Sequence, residues 1–186
     1  YKIVEVDRCE GDDIIAVLSK WSVENVFKKD SMFDNDPEPV LIVSADEDFL
    51  QLHNQHVRQF SLRTKKFLTL TKSKEENLHE HIIKGDASDG VPNVLSDDDC
   101  FVAGKRQKSI HVTKMAEWFN ELPTDEQFKK NYARNKQLVD LSQIPVEYKE
   151  KIINTYTEYV PKSRMKLMNY FIKNRLTNLM DSLQDF

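Results

Sequence analysis

Acidic residues recur in three short motifs of this 186-residue sequence, and their types and spacing could support metal-ion chemistry. In chain order the motifs are Glu-Gly-Asp-Asp at 10–13, Ser-Ala-Asp-Glu-Asp at 44–48 and Lys-Gly-Asp-Ala-Ser-Asp-Gly-Val-Pro-Asn-Val at 84–94. Taken singly, the first two are explained as helix N-terminal caps, because carboxylates there accept hydrogen bonds from free backbone N–H groups. In the third motif, a helix end and a turn explain the glycines and Pro92, but not the acids on both sides of Ser88.

The first two motifs fall directly after predicted β-strands at 2–6 and 40–43. A helix that begins at Asp12 connects these strands, so the sequence predicts a right-handed βαβ unit. The carboxyl ends of neighbouring parallel strands lie side by side, and ligands bind in the crevice outside them. We therefore expect four carboxylates to converge at one edge of the sheet: Glu10, Asp12, Asp46 and Asp48.

Four carboxylates in one crevice repel one another strongly unless cations bind between them. A donor set made only of oxygens, without histidine or cysteine, favours a hard cation such as Mg²⁺ or Mn²⁺. Two such ions about 3.5–4 Å apart are a standard arrangement for in-line hydrolysis of a phosphodiester bond. The tight Gly90-Val91-Pro92 turn is expected to point backbone N–H groups at a phosphate, which fixes position without reading bases.

The remaining pattern predicts the elements that position these motifs. The apolar run at 40–43 is typical of a strand covered on both faces in a parallel sheet. A loop at 30–39, a brief helix at 47–52, a strand at 57–60 and an edge strand or loop at 64–74 complete the first part. Helices are then predicted at 75–84, 110–122, 125–138, 145–159 and 162–183. The expected fold class is an α/β half followed by an all-helical half.

The last predicted helix carries one apolar stripe at spacings of three or four residues. Its members are Met165, Met168, Ile172, Leu176, Leu179 and Leu183. We expect this stripe to pack on the helix at 145–159, because neighbouring amphipathic helices joined by a short turn bury each other's apolar faces. The opposite face is basic, with Lys162, Lys166, Lys173 and Arg175.

Composition excludes several classes of protein. Hydrophobic residues make up 39% and charged residues 31%, as in an ordinary soluble globular chain. No apolar run approaches the roughly 20 residues of a membrane span, and charges among the first eight residues do not fit a signal peptide.

Two cysteines, Cys9 and Cys100, cannot form a disulfide framework and fit a reducing cytoplasm. A net charge of −4 does not mark a nucleic-acid binder, but bound metal ions would offset the acidic cluster.

The three motifs together, in their order and spacing, resemble those of the 5′-nuclease superfamily of flap endonucleases and 5′–3′ exonucleases. The helical tail looks most like the T4-type bacteriophage ribonuclease H branch, with Ile144-Pro145 near the start of one helix and Asn-Tyr-Phe-Ile-Lys at 169–173. The resemblance covers nearly the whole chain. It implies that 1–73 is the carboxyl-terminal portion of an α/β nuclease domain. It also implies that 74–186 is a helical region with a helix–hairpin–helix type element at about 75–110.

The resemblance also implies roles for individual residues. The first metal site would use Glu10, Asp12 and Asp46, and the second would use Asp48, Asp86 and Asp89, with Asp13 in an outer position. Glu10, Asp12, Asp46 and Asp48 would be the catalytic residues. Gly90, Val91, Asn93, Lys105 and Arg106 would contact DNA, with a K⁺ ion at the hairpin. Members of this superfamily carry further metal-binding aspartates and a basic arch on segments that would precede Tyr1.

The function implied is that of a two-metal Mg²⁺ nuclease, in which Mn²⁺ can substitute, that removes RNA primers from the 5′ end in a phage-infected bacterial cytoplasm. It would act as a monomer on hybrid, duplex, forked or flap substrates, with a single-stranded DNA-binding protein and a sliding clamp as partners. Two alternatives stay open: a duplex- and partner-binding module without activity, and a Mg²⁺-dependent phosphohydrolase of small phosphate esters, against which the Gly-Val-Pro hairpin argues. A zinc site at the histidine pairs 53/56 or 79/81 is disfavoured, because no cysteine or third ligand is near in sequence.

Overall fold

A computed structural model gives the fold of the protein and describes residues 2–28, 36–160 and 164–183. The first part contains α1 (Gly11–Asn25), β1 (Val40–Val43), a 3₁₀ helix (Glu47–Leu52), β2 (Val57–Ser61) and β3 (Lys66–Leu68). The second part contains α2 (Lys74–Lys84), α3 (Val112–Asn120), α4 (Glu126–Val139), a 3₁₀ turn (Leu141–Gln143), α5 (Val146–Thr157), α6 (Arg164–Lys173) and α7 (Thr177–Met180). The predicted fold class, an α/β portion followed by helices, is confirmed. Much of the loop predicted at 30–39 lies outside the described residues.

The sheet within the described residues has three strands in the order β1-β2-β3. β1 and β2 are parallel, with Val40 beside Val57 and Val43 beside Phe60. β3 pairs antiparallel with β2, so an edge strand forms within the segment predicted as an edge strand or a loop. The 3₁₀ helix connects the two parallel strands and places the second acidic motif at the carboxyl end of β1.

The strand predicted at 2–6 is wrong, and the predicted βαβ unit does not form among the described residues. This segment lies against helices instead, where Val6 packs on the core cluster of Ala16, Val17, Ile144 and Ile152. Lys2 Nζ donates a hydrogen bond to the carbonyl of Tyr156 at 2.9 Å. Val6 is therefore covered by helices rather than by a neighbouring strand, whereas Ile3 is 72% exposed.

β1 is covered on one face only, which corrects the expectation that both faces are buried. Ile42 is buried in a core cluster with Phe49 and Val57, on which Ile15 of α1 also packs. On the opposite face Leu41 and Val43 are each 54% exposed. Four apolar residues in a row thus identified the strand correctly but not the number of layers that cover it.

α2, α3 and α4 surround a separate core formed by Ile83, Val94, Met115 and Phe128. Two asparagines of α4 are fully buried beside it and bind the irregular segment that follows α2. Asn131 Nδ2 donates to the carbonyls of Val94 and Ser96, and Asn135 Nδ2 donates to those of Ile82 and Pro92, at 2.8–3.0 Å. Buried carbonyls outside regular structure need such donors, so α4 fixes the segment that carries the third acidic motif.

The helix predicted at 162–183 is interrupted, and most of its apolar stripe does not become buried. α6 ends where Arg175 takes a left-handed conformation (φ 56°), and Leu176 N donates to the carbonyl of Phe171 at 2.9 Å. Met165 and Ile172 are 71% and 53% exposed, whereas Phe171, which is not in the predicted stripe, is buried. Lys162 lies outside the described residues. Within the described ranges, none of the helices is long and apolar enough to cross a membrane.

Candidate metal centre

The first acidic motif forms the amino-terminal turn of α1. Glu10 is the N-cap residue, and its backbone N–H donates to Asp13 Oδ2 at 3.0 Å. Asp13 therefore acts as a helix cap, as the local interpretation of this motif predicts. Asp12, one residue earlier, is partly buried, and an oxygen of its carboxylate lies within 4.8 Å of oxygens of Asp46 and Asp48 in the second motif.

The second motif forms the turn from β1 into the 3₁₀ helix. Asp46 caps this helix by accepting a hydrogen bond from the N–H of Asp48 at 3.0 Å. Gln59 of β2, which is fully buried, donates Nε2 to the carbonyls of Ser44 and Asp46 at 3.0 and 2.6 Å. Gln59 thus fixes the backbone that carries both aspartates. Gln59 was not among the predicted site residues, although its position two residues after Val57, on the same face of a predicted strand, was a usable signal.

The third motif follows the carboxyl end of α2. Gly85 caps the helix with φ 66°, and its N–H donates to the carbonyl of His81 at 2.8 Å. Asp86 Oδ1 then accepts hydrogen bonds from Ser88 Oγ and from the N–H of Ser88 at 2.8 Å. Ser88 therefore orients Asp86. These two hydrogen bonds use only Oδ1 of the carboxylate and do not involve Oδ2.

The three motifs converge around Asp48. Single oxygens of Asp12, Asp46 and Asp48 all lie within 4.8 Å of one another. One ligand atom from each of Asp48, His81 and Asp86 also lies within 4.8 Å of the other two, and these residues form a second group. Of the predicted site residues, the structure thus brings together Asp12, Asp46, Asp48 and Asp86, while Glu10, Asp13 and Asp89 belong to neither group. Asp89 is still near enough to Asp12 for its charge to raise the pKa of Asp12.

Repulsion and burial perturb the pKa values of these carboxyl groups. Burial, with added repulsion from Asp46, Asp86 and Asp12, raises the pKa of Asp48 to about 6 even though His81 acts to lower it. Burial and then Asp46 raise the pKa of Asp12, whereas the hydrogen bond from Ser88 lowers the pKa of Asp86. The cluster carries an excess of partly buried negative charge, which a bound cation would offset. Because most of its ligand atoms are carboxylate oxygens, the cluster fits a hard divalent metal ion.

The charge of Asp48 should destabilise the metal-free protein at neutral pH. Because its folded-state pKa of about 6 lies above the unfolded value of about 3.9, the folded protein binds more protons between these pH values, and stability falls as pH rises through them. Asp48→Asn removes this cost, so we expect unfolding free energy to increase by about 1–3 kcal/mol at pH 7.5. Urea unfolding in EDTA should show the increase at pH 7.5 and not at pH 4. An equal change in unfolding free energy at both pH values would contradict this role for the charge of Asp48.

His81 lies between Asp48 and Asp86, where the sequence analysis expected only oxygen donors. Its Nδ1 is 3.1 Å from Asp48 Oδ1, and its Nε2 is 3.5 Å from Asp86 Oδ2. His79, which was considered as its pair, faces the helical core, where it contacts the rings of Phe119 and Tyr132. Residues two apart on a helix point to different faces, so His79 and His81 do not act as a pair. Of the two, only His81 belongs to this site.

The turn after Asp89 does not offer the backbone donors that were expected for a phosphate. The N–H of Val91 donates to the carbonyl of Asp86 at 2.6 Å, and the N–H of Asn93 donates to Gln107 Oε1 at 2.7 Å. The side chains of Val91 and Asn93 are also buried. Gly90, which is exposed with φ 76°, remains the member of this turn that faces solvent.

The segment between α2 and α3 forms turns instead of the second helix of a hairpin. Its acidic stretch is held by α4, because Asp98 pairs with Arg134 and with Lys130. Lys105 and Arg106 are exposed at the end of these turns, and Lys105 Nζ lies 3.5 Å from Asp99. The prediction of a helix–hairpin–helix element is thus wrong for the second helix. Ion pairs to α4 stabilise an irregular backbone in its place.

Comparison with known proteins establishes the family. The family model described as T4 RNase H, C terminal, matches residues 72–186. The chain belongs to the T4 RNase H family. It is 31% identical over 198 residues to Ribonuclease H of Enterobacteria phage T4, an alignment that covers 100% of this chain and 61% of that protein. This T4 RNase H family chain therefore spans less than two thirds of the curated relative.

Two solved structures of T5 protein share the fold of this T4 RNase H family member. A mutant of the T5 5′-exonuclease superposes with a TM-score of 0.52 at 19% identity, covering 81% of this chain and 61% of that one. The T5 D15 protein co-crystallised with metal ions gives a TM-score of 0.52 at 18% identity, covering 82% and 56%. The predicted resemblance to T4-type bacteriophage ribonuclease H is confirmed, and the fold is shared with the T5 5′-exonuclease.

Proposed function

We propose that the protein containing this chain is a divalent-metal-dependent 5′ to 3′ nuclease that hydrolyses phosphodiester bonds in RNA–DNA hybrids, duplex DNA and flaps. The observation that carries the proposal is the convergence of Asp12, Asp46, Asp48 and Asp86 from three separate segments. Helix capping explains each segment alone, but it does not require their side chains to meet. Family membership supports the same chemistry, since the T4 relative is a ribonuclease and the T5 neighbour an exonuclease by name.

Each of these carboxylates has a proposed role in holding two ions. Asp12 and Asp46 would bind the first, Asp86 would bind the second, and Asp48, which belongs to both groups, would contact both. Bound Mg²⁺ or Mn²⁺ would activate a water molecule and stabilise the leaving oxygen. Glu10 and Asp89 would complete the two sites, as the superfamily resemblance implies. Gln59 and Ser88 would keep the carboxylates oriented, because their hydrogen bonds fix the turns on which these residues lie.

Substrate contact is proposed for the exposed part of the 85–111 segment. Gly90, Lys105 and Arg106 are accessible there, and they can approach phosphates without reading bases. A K⁺ ion at the Gly90 turn is a further part of this proposal. We expect structure-selective binding, with forked and hybrid duplexes preferred to single strands. Residues 1–73 would belong to the nuclease domain, and 74–186 would form a helical region that includes the DNA-binding hairpin at about 75–110 and the carboxyl-terminal helices.

The proposed biological role is removal of RNA primers during phage DNA replication in the cytoplasm of the infected bacterium. A single-stranded DNA-binding protein and a sliding clamp are the proposed partners. Lys166, Lys173 and Arg175 on and after α6 would supply a basic surface for the first of them. Charges at the rim of such an interface mainly increase the association rate, so binding should weaken with salt.

A polarity assay on the intact protein tests the proposal. An RNA strand annealed to DNA is labelled at its 5′ end in one sample and at its 3′ end in another, and both are incubated with Mg²⁺. We expect short 5′-labelled products at the earliest times and a descending ladder of 3′-labelled fragments with 5′-phosphates, because cutting begins at the 5′ end. EDTA should abolish both patterns.

Other results would identify the alternatives. Tight binding of forked duplex with no product at any Mg²⁺ or Mn²⁺ concentration would indicate a binding module without activity. Hydrolysis of a small phosphate ester, with the hybrid left intact, would indicate a phosphohydrolase of another class. Cutting from the 3′ end would contradict the proposed polarity.

A further inference from the structure

We propose that His81 is a direct ligand of the ion bound between Asp48 and Asp86, and that its imidazole makes this position prefer a first-row transition ion such as Mn²⁺ to Mg²⁺. The inference rests on the proposed metal-dependent function and deepens it, because it distinguishes the two metal positions from each other. Oxygen donors alone would form the position at Asp12, Asp46 and Asp48.

His81 lies between the two aspartates with one ring nitrogen toward each, and a histidine binds an ion through one of these nitrogens. Its Nδ1 is 3.1 Å from Asp48 Oδ1 and its Nε2 is 3.5 Å from Asp86 Oδ2. An octahedral ion with metal–ligand bonds of about 2.1 Å separates adjacent ligand atoms by about 3 Å and opposite ones by about 4.2 Å. Ligand atoms of all three side chains lie within 4.8 Å of one another, so small side-chain movements would bring them into one coordination shell.

The carboxyl-terminal end of α2 places His81 at an open pocket. His81 lies in the last turn of α2, directly before the buried residues Ile82 and Ile83, and Asp86 follows two residues after the helix ends. A pocket of about 290 Å³ is lined by Asp46, Asp48, His81 and Asp86, among others, and gives an ion a route from solvent. His81 itself is 26% exposed in its side chain.

The chemistry of the donors predicts different preferences at the two positions. Carboxylate and water ligands suit Mg²⁺ and Mn²⁺ alike, whereas an imidazole nitrogen favours transition ions over Mg²⁺. A mixed set of one nitrogen and two carboxylates should therefore discriminate, while the all-oxygen position should not. A histidine that only oriented the two carboxylates by hydrogen bonds would produce no such difference between metals.

Mn²⁺ binding to the intact protein tests the proposal without reference to activity. Electron paramagnetic resonance titration counts bound Mn²⁺, and electron spin-echo modulation detects a nitrogen nucleus bound directly to it. We expect nitrogen modulation from the wild-type protein. His81→Gln should remove it and weaken Mn²⁺ binding at one position by about 10-fold or more, with Mg²⁺ affinity changed by less than about 3-fold. His111→Gln, at an exposed histidine outside both groups, is the matched control and should behave as wild type.

The outcomes separate this inference from the proposed function. If Mn²⁺ binds to the wild-type protein without nitrogen modulation, or if His81→Gln weakens Mn²⁺ and Mg²⁺ equally, His81 is not a ligand and the inference is wrong. If neither metal binds to the wild-type protein, the proposed function itself fails. The wild-type spectrum decides the question even if the variant does not fold.

Discussion

Replacing Asp48 with asparagine is expected to reduce cleavage by the intact protein about a thousandfold or more, with duplex affinity changed by less than about threefold. Asp48 is the side chain that belongs to both groups of candidate metal ligands, so its loss weakens both positions at once. The surfaces proposed to contact phosphate lie elsewhere, at Gly90, Lys105 and Arg106. Single-turnover rates on the RNA–DNA hybrid would measure cleavage, and fluorescence anisotropy would measure affinity for a forked duplex.

Glu47→Gln is the matched control for this substitution. Glu47 is also acidic and lies between Asp46 and Asp48 on the same 3₁₀ helix, but it is exposed and belongs to neither group. We expect its removal to change the rate by less than about threefold. Near-normal turnover of Asp48→Asn at ordinary Mg²⁺ concentrations would mean that the aspartates of this motif serve only as helix caps, and the metal centre would be refuted.

Local patterns were enough to predict most of the elements that carry the acidic motifs. The apolar run at Val40–Val43 identified β1 to the residue, and the acidic motif at 10–13 identified the start of α1. Ser73 and Glu76 form the reciprocal capping hydrogen bonds that begin α2 next to its predicted start. In each case the signal and the structure depend on the same few residues, which is why sequence reasoning succeeds there.

The wrong predictions concern interactions between distant residues. A strand at 2–6 needed a neighbouring strand, but Val6 finds its apolar contacts on α1 and α5. The stripe on the last helix predicted one continuous face, and the left-handed conformation of Arg175 interrupts it. Helix periodicity records which side chains share a face and does not record what covers that face.

The candidate site could be predicted in its acids but not in its supporting residues. The convergence of Asp12, Asp46, Asp48 and Asp86 follows from the positions of three motifs. Gln59 and His81 reach the site from β2 and α2, and each comes from a segment whose sequence pattern indicates only a strand or a helix. The backbone donors of the Gly90-Val91-Pro92 turn were assigned to phosphate and Asn93 to DNA contact, although a buried turn uses its N–H groups internally, as Val91 and Asn93 do.

Gly85 is the position at which one added methyl group should most damage the third motif. It adopts φ 66°, and a Cβ there would collide with the carbonyl oxygen of Val91 and lie 2.7 Å from that of Pro92. The Pro92 carbonyl cannot move aside easily, because Asn135 Nδ2 and Arg134 donate hydrogen bonds to it at 2.9 and 2.8 Å. Steric overlap with fixed backbone is added to the cost of the backbone conformation itself, because φ 66° with ψ −173° is a region that residues other than glycine rarely adopt, at about 1–3 kcal/mol.

We therefore expect Gly85→Ala to lower the unfolding free energy by about 3 kcal/mol or more and to displace Asp86, which follows it directly. Gly104→Ala is the control, because Gly104 has φ 64° but no atom within 4 Å of the added Cβ, so it should lose only about 1–2 kcal/mol. Urea unfolding of both variants gives the difference in stability loss between a crowded glycine and an open one that share a positive φ. Mn²⁺ titration of each folded variant then shows whether Asp86 still binds metal. Equal stability losses in the two variants would show that the segment after α2 yields to the methyl group. In that case the hydrogen bonds from α4 would not hold the acidic turn in place.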